Sequence, residues 1–277
     1  MELYQEIEKA FGTRYRKNIW RPFMSAIKEY ALVSEGDRIA VCISGGKDSV
    51  LLAKCMQELK RHSPLNFELV FLCMDPGYAP ENRKRIEENA ALLHIPIEFF
   101  DTDVFAAVEA MGGSPCHMCA KMRRGYLYRR AKELGCNKIA LGHHFDDAVE
   151  TVLMSMIYTG QLRGMRPRLA SDNVPGMELI RPLYKVHERD IIDWRDHFGL
   201  KFLDCACMKT RDMKVSGEHS DSKRQEMKLL LLHLNALNPD AAKNIFRSAH
   251  NVVLDSLNAW KHQDKEFSML EEFDHDD

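Results

Sequence analysis

Apolar positions fall into two patterns along this chain. Strand-length stretches rich in apolar residues occur at 39–43, 66–74, 95–100, 138–141 and 178–181. Between them, apolar residues recur at helical spacing: from Lys47 through Val50, Leu51, Ala53, Met56 and Leu59, across 81–93, after 147 as far as Tyr158, and across 186–198. The first 35 residues read as helical on Tyr4, Ile7, Ala10 and Phe11, and the helical pattern returns from 222 to about 260. Residues 160–176 are rich in Gly, Pro and Arg, have no period, and read as a loop; the acidic end reads as a frayed tail. Strands alternating with helices predict right-handed crossovers and an α/β fold, a parallel twisted sheet with helices on both faces. Helical appendages flank it, giving expected segments 1–35, 36–210 and 211–277. Such sheets bind ligands beyond the carboxyl ends of their strands. That rule places residues 44–49, Asp75 and residues 142–147 on one rim.

The junction after the first strand carries the sharpest signal. Residues 44–49 read Ser-Gly-Gly-Lys-Asp-Ser. Small residues leading into a helix let the backbone approach an anion closely, and the helix start offers unpaired N–H groups. The loop is too short for G-x-x-x-x-G-K-[ST], and the dinucleotide motif G-x-G-x-x-G is absent. The six residues resemble the pyrophosphate loop (PP-loop) of ATP pyrophosphatases, enzymes that cleave ATP between the α and β phosphates.

Composition narrows the class. With 45% hydrophobic and 29% charged residues, the chain is ordinary for a globular protein, and its net charge of −2 decides nothing about nucleic acid. No apolar run approaches the roughly 20 residues of a membrane helix, and the start, Met-Glu-Leu-Tyr, leads into charged sequence. A cytoplasmic setting without a membrane partner is therefore expected. The eight cysteines divide in two. Cys42, Cys55, Cys73 and Cys136 fall in apolar runs, where a thiol acts as a small hydrophobe. Cys116, Cys119, Cys205 and Cys207 fall in turn-like stretches. Ser114 as N-cap and Pro115 as the first helical residue would put Cys116 and Cys119 in a first turn on one face, where a thiolate is stabilised.

Two basic stretches follow from the same reading. Residues 121–132 contain six basic residues and two tyrosines, a surface that attracts phosphates if it is not merely a solvated helix face. Helical geometry puts Arg123, Arg130 and Arg129 on one side, with Arg124 and Lys132 elsewhere. Residues 14–21 mix Arg and Lys with Tyr and Trp, which suits either nucleic acid or a charged face over buried aromatics.

The loop at 44–49, the Cys116/Cys119 pair with the basic helix behind it, the stretch Ile139-Ala140-Leu141-Gly142-His143-His144-Phe145-Asp146-Asp147, and Arg181-Pro182-Leu183 together resemble the tRNA 2-thiocytidine synthetases (the TtcA family). The resemblance runs from about residue 38 to 208. It implies a tRNA sulfurtransferase using ATP, magnesium and a 4Fe-4S cluster on three cysteines, with tRNA as substrate and a sulfur donor such as a cysteine desulfurase as partner. Carried over, Ser44, Gly45, Gly46, Lys47, Asp48 and Ser49 would bind ATP phosphates, with Asp75 on the same rim. Gly142 and His143 would line the nucleotide site, and Lys47, Asp48 and Asp147 would serve the reaction. Cys116 and Cys119 would hold the cluster, with Cys205 favoured as third ligand and Cys207 as the alternative. Two other readings stand beside it: a nucleotide-binding iron–sulfur regulator without turnover, and a thiouridine synthetase carrying persulfide on the C-x-x-C pair. Monomer and homodimer are both compatible with the sequence.

Overall fold

The computed structural model describes residues 1–105, 107, 115–203, 223–263 and 265–272, of which the side chains of 115–121 and 271–272 are not described. The chain divides into two compact units, one of Met1–Ala148 with Met165–Ser222, the other of Val149–Gly164 with Lys223–Asp277.

The first unit is built on strands β1 (Arg38–Ile43), β2 (Glu68–Asp75), β3 (Ile97–Asp101), β4 (Lys138–Ala140), β5 (Arg168–Ala170) and β6 (Glu178–Ile180). They pair in the order β3-β2-β1-β4-β6-β5. All neighbours are parallel except β5 and β6, where Leu169 faces Leu179 in antiparallel register. The helices of this unit are α1 (Leu3–Gly12), α2 (Arg21–Glu29), α3 (Lys47–His62), α4 (Pro80–Leu92), α5 (Pro115–Glu133) and α7 (Glu188–His197); α6 (Phe145–Thr159) starts here and continues into the second unit.

β1 is central, and Ile39, Ala40 and Val41 are fully buried, as a strand covered on both faces must be. One face packs against α5. Tyr128 and Ala131 of that helix join Ala40, Leu72, Ile139 and Leu179 in a single cluster, with Leu127 and Leu134 at its edge. Its inward stripe therefore runs through 127, 128, 131 and 134. One turn earlier the same stripe carries Arg123 and Arg124, beyond the end of the apolar floor.

The amino ends of the strands are tied by buried charge. Lys138 Nζ, 3% exposed as a side chain, lies 2.6 Å from Asp37 Oδ2 and donates to Leu32 O at 3.1 Å. Asp37 also accepts from the Ser34 N–H and from Asn137 Nδ2. Burial alone would raise its pKa, but these donors outweigh it and hold the carboxyl below its ordinary value. A second buried lysine, Lys54 on α3, joins Glu8 of α1 at 2.8 Å and the Leu93 carbonyl at 3.1 Å. It fastens the amino-terminal helix to the sheet layer.

Two sequence expectations change. Residues 160–176 contain β5, an edge strand whose three residues are all exposed. Three residues show no period, and the strand is held by its ladder and by Arg168 paired with Glu178 across it. Second, residues 222–260 are not helical throughout. α8 (Lys223–Leu237) stops before Asn238-Pro239, since Pro cannot supply an interior helix N–H. α9 (Ala241–Ser248) follows, and Trp260 lies in a hairpin of β7 (Ala259–His262) and β8 (Lys265–Ser268), stacked on Phe267 at 5.5 Å. Of the two readings of the basic and aromatic stretch at 14–21, the structure shows the charged face over buried aromatics. Tyr15 and Ile19 are buried, the Tyr15 hydroxyl donates to Asp193 Oδ2 at 2.9 Å, and residues Arg16–Trp20 form a π-helical turn.

In the second unit Met227 and Leu231 of α8 are buried, and Glu150 of α6, 1% exposed as a side chain, is paired with Arg224 at 3.3 Å and Lys228 at 4.0 Å. Among the described residues no helix is long and apolar enough to cross a membrane.

Replacing Lys138 with Met strands the Asp37 carboxylate, and urea unfolding at neutral pH should show a loss of about 3 kcal/mol. In the parent the Asp37 contribution is complete above its unfolded pKa of about 4 and disappears as pH falls through the lower folded value. An acid titration of Lys138→Met should therefore unfold at higher pH than the parent.

Candidate functional site

The loop between β1 and α3 folds onto itself. Gly45 takes φ of +82°, and a Cβ there would come within 2.8 Å of the Ile86 side chain and 3.0 Å of Leu203. The Ser44 N–H donates to Ser49 Oγ at 3.1 Å, and Ser49 Oγ donates to the Gly46 carbonyl at 2.9 Å. Ser49 thus spends its hydroxyl closing the loop. The Gly45 carbonyl accepts from the Leu203 N–H at 3.1 Å, so the chain is pinned to this loop two residues before Cys205.

The loop after β4 lies against the same helix start. A Cβ on Gly142 would sit 3.0 Å from both the Asp48 carbonyl carbon and the Ser49 nitrogen. Backbone occupies that space, so only glycine fits without displacing one loop. From there His143 and Asp147 enter a cavity of about 390 Å³ together with Ser44, Asp48 and Ser49. Ile43, Met74, Ile139 and Leu141 supply its apolar walls, and Arg123 and Arg124 its cationic ones. A cavity of this size, mostly apolar with a few convergent polar groups, is of the kind that takes a small organic ligand.

Asp48 and Asp147 are linked through a buried histidine. The His144 N–H donates to Asp147 Oδ2 at 3.0 Å, and His144 Nδ1 accepts from the Asp147 N–H at 3.4 Å. His144 Nε2 lies 3.5 Å from Asp147 Oδ2 and 3.9 Å from Asp48 Oδ1. Asp48 Oδ1 is buried and makes no hydrogen bond, although Lys47 Nζ is 3.2 Å away. An unsatisfied carboxylate oxygen at a phosphate-type loop fits magnesium, which binds through one or two carboxylates plus phosphates.

Lys47 points elsewhere. Its Nζ lies 3.0 Å from Glu188 Oε1 at the start of α7, outside the cavity lining. Burial pulls its pKa down, but Asp48 and Glu188 outweigh that and the ammonium is held charged. Asp75 is not brought to the cavity either. Its Oδ1 accepts the N–H groups of Gly77 and Tyr78 at 2.9 and 2.7 Å, and its Oδ2 pairs with Arg83 at 3.0 Å. Cys116 and Cys119 stand three apart in the first turn of α5, on one face of the helix; their side chains are outside the described residues, as are Cys205 and Cys207 altogether.

The basic helix divides differently from its angular reading. Arg130 is tied to Glu98 of β3 at 2.5 Å and to Glu133 at 3.2 Å. Arg129 is exposed and lies over the Tyr126 ring at 5.7 Å. Arg123 and Arg124 go together into the cavity wall. His144, Glu188 and the cavity role of Arg124 escaped the sequence reading. The first left a signal as the second histidine of Gly-His-His, and Arg124 left one as a member of the basic stretch at 121–132.

Three comparisons bear on this arrangement. The PP-loop domain family matches residues 16–210. A tRNA-cytidine(32) 2-sulfurtransferase of Vibrio cholerae serotype O1 is 36% identical over 258 residues, which span 90% of this chain and 79% of that one. One from Geobacter sulfurreducens is 38% identical over 245 residues, 86% and 91% of the two chains. Among solved structures, the U34-tRNA thiolase NcsA from Methanococcus maripaludis with its [4Fe-4S] cluster shares the fold. It superposes at a TM-score of 0.66 over 87% of this chain and 80% of its own, at 20% identity.

Gly142→Ala tests the close approach directly. Overpacking should lower stability by about 1–3 kcal/mol, read from denaturant midpoints, and should weaken ATP binding measured by calorimetry by far more than Gly12→Ala, where a Cβ meets nothing within 4 Å.

Proposed function

The chain belongs to the PP-loop domain family and, within it, to the tRNA-cytidine(32) 2-sulfurtransferases, and on that premise we propose that it thiolates tRNA at a cytidine C2 position with ATP. One observation carries the reading: the loop at 44–49 and the loop at 142–147 meet backbone to backbone at the mouth of a single cavity. Activated nucleotide and acceptor base are then held within reach of each other, which removes most of the entropic part of the barrier.

The chemistry needs two displacements. A pyrimidine C2 oxygen leaves poorly until it is esterified, so it first attacks the α-phosphorus of ATP and pyrophosphate departs. Sulfide then attacks C2, and the oxygen leaves as part of AMP. The steps are redox-neutral.

The residues divide this work. The N–H groups at the start of α3, with Ser44, Gly45, Gly46 and Ser49 shaping the loop, cradle the phosphates. Lys47, held by Glu188 outside the cavity lining, contributes its charge to the helix start only at longer range, and Asp48 offers Oδ1 to magnesium. Gly142 and His143 border the nucleotide. Asp147, oriented by the His144 main chain, faces the reacting end. Arg123 stands over the strand ends and offsets charge on the departing phosphates.

Cys116 and Cys119, an i,i+3 pair at a helix start, suit thiolate ligands. With Cys205 or Cys207 they supply the three thiolates that a 4Fe-4S cluster with one open iron requires. When bound, such a cluster supplies a soft Lewis-acid site for the sulfur nucleophile. The sulfur itself comes from a donor such as a cysteine desulfurase.

Anaerobically prepared protein given ATP, magnesium, sulfide and unmodified tRNA should yield AMP, pyrophosphate and 2-thiocytidine, read by nucleoside mass spectrometry. Thiolated uridine in place of cytidine would move the substrate assignment, and bound ATP without AMP would favour a regulator. Asp48→Ala should abolish AMP formation while leaving the cluster absorbance unchanged.

The cysteines form a separate test. Cys119→Ala should lose the brown colour and the product together. Of Cys205→Ala and Cys207→Ala, only one should do so. Full activity in colourless anaerobic protein would replace the cluster with a persulfide route.

A further inference from the structure

Several arginines of the first unit are held by carboxylates: Arg38, Arg61, Arg83, Arg130 and Arg168 each have one within 3.2 Å. Arg124 and Arg181 differ from these. Among the described residues neither has a carboxylate within ion-pair distance, although they are near enough to repel each other. Arg181 sits directly after β6. Its Nη1 donates to the Arg166 carbonyl, and its Nε is buried with no hydrogen bond. Burial and the Arg124 charge push its pKa down to about 10. Tyr128 is buried, and its hydroxyl feels the charge of both guanidinium groups. Two like charges, one largely desolvated, cost stability unless an anion completes them.

The strand order says where that anion would lie. The phosphate loop follows β1, the loop at 142–147 follows β4, and Arg181 follows β6, in that order across the sheet. At about 4.8 Å per strand, Arg181 stands on the order of 10 Å from the phosphate loop, with the reacting loop between. Arg123 leans the other way, close enough to Cys73 of β2 to act on its thiol. Arg124 is thus the arginine turned toward β6.

We propose that Arg124 and Arg181 clamp a phosphodiester of the RNA substrate next to the nucleotide being modified, opposite the end of the cavity that takes ATP. The inference rests on the function proposed above and adds the group by which the RNA is held. A guanidinium pair offers a fork of donors to two phosphate oxygens. The phosphodiester positions the substrate and reads no sequence.

The probe is an RNA hairpin carrying the target cytidine, with a second version in which the phosphodiesters flanking that cytidine are neutral methylphosphonates. Binding is measured across a salt series without ATP. Arg124→Gln should weaken the ordinary hairpin about tenfold and lower the salt slope by about one. The loss should appear in RNA affinity and not in KM for ATP. On the methylphosphonate hairpin the same variant should lose little more, because the shared contact is already gone. Arg181→Gln should behave alike, and its melting temperature shows whether it is folded; if it is not, Arg124→Gln and the two hairpins decide the matter. A raised KM for ATP with unchanged RNA binding would assign the pair to the triphosphate. Equal losses on both hairpins would place the contact elsewhere. Failure of the parent to form 2-thiocytidine would count against the function, whereas the hairpin comparison reads the clamp whatever the product.

Discussion

The site depends on one contact without side chains. The backbone at Gly142 rests on the backbone of Asp48 and Ser49 with no room for another carbon. Two loops leaving adjacent parallel strands are thereby held at the distance of a van der Waals contact, and the cavity opens where they part. Everything else that lines it is placed by reference to this contact. Ser49 closes the first loop, Asp147 caps the turn of the second, and α5 lies across both strand ends on its apolar stripe.

Charge is distributed along the sheet in two different ways. At the amino ends, buried lysine and aspartate satisfy each other and the nearby carbonyls, which stabilises the register of β1 against β4. At the carboxyl ends, Asp48 Oδ1 and Arg181 Nε are buried and left without hydrogen bonds. Groups left unsatisfied at the end of the sheet where ligands bind are available to complete a bound ligand. The four cysteines buried in the sheet layers are consistent with that separation. Burial pushes the Cys42 and Cys73 thiols up to about 12, which keeps them protonated and inert.

Much of this is legible in the chain alone. A strand, a Ser-Gly-Gly-Lys-Asp-Ser turn and an amphipathic helix form a local unit whose geometry follows from its own residues, so α3 begins at Lys47 as expected. The order of strands and helices predicted the parallel sheet, and the rule for ligand position then brought residues 44–49 and 142–147 to the same edge. β5 was invisible because three exposed residues carry no period, and the hairpin at 259–268 because its four-residue strands carry hardly more.

The sequence by itself determined the elements, their order and the chemical types on the rim, since periodicity, turn residues and motifs are local properties. Tertiary structure decided which side chains are spent and which are free. Asp75 lies on the expected edge but is consumed by Gly77, Tyr78 and Arg83, and Lys47 leans to Glu188 from a helix far along the chain. On α5, angular position alone grouped Arg123 with Arg130. Packing against the sheet instead turned Arg123 and Arg124 to the cavity, while Glu98 took Arg130. A side chain's partner is chosen by what the fold brings within a few ångströms of it, and that distance is not written in any local stretch of sequence.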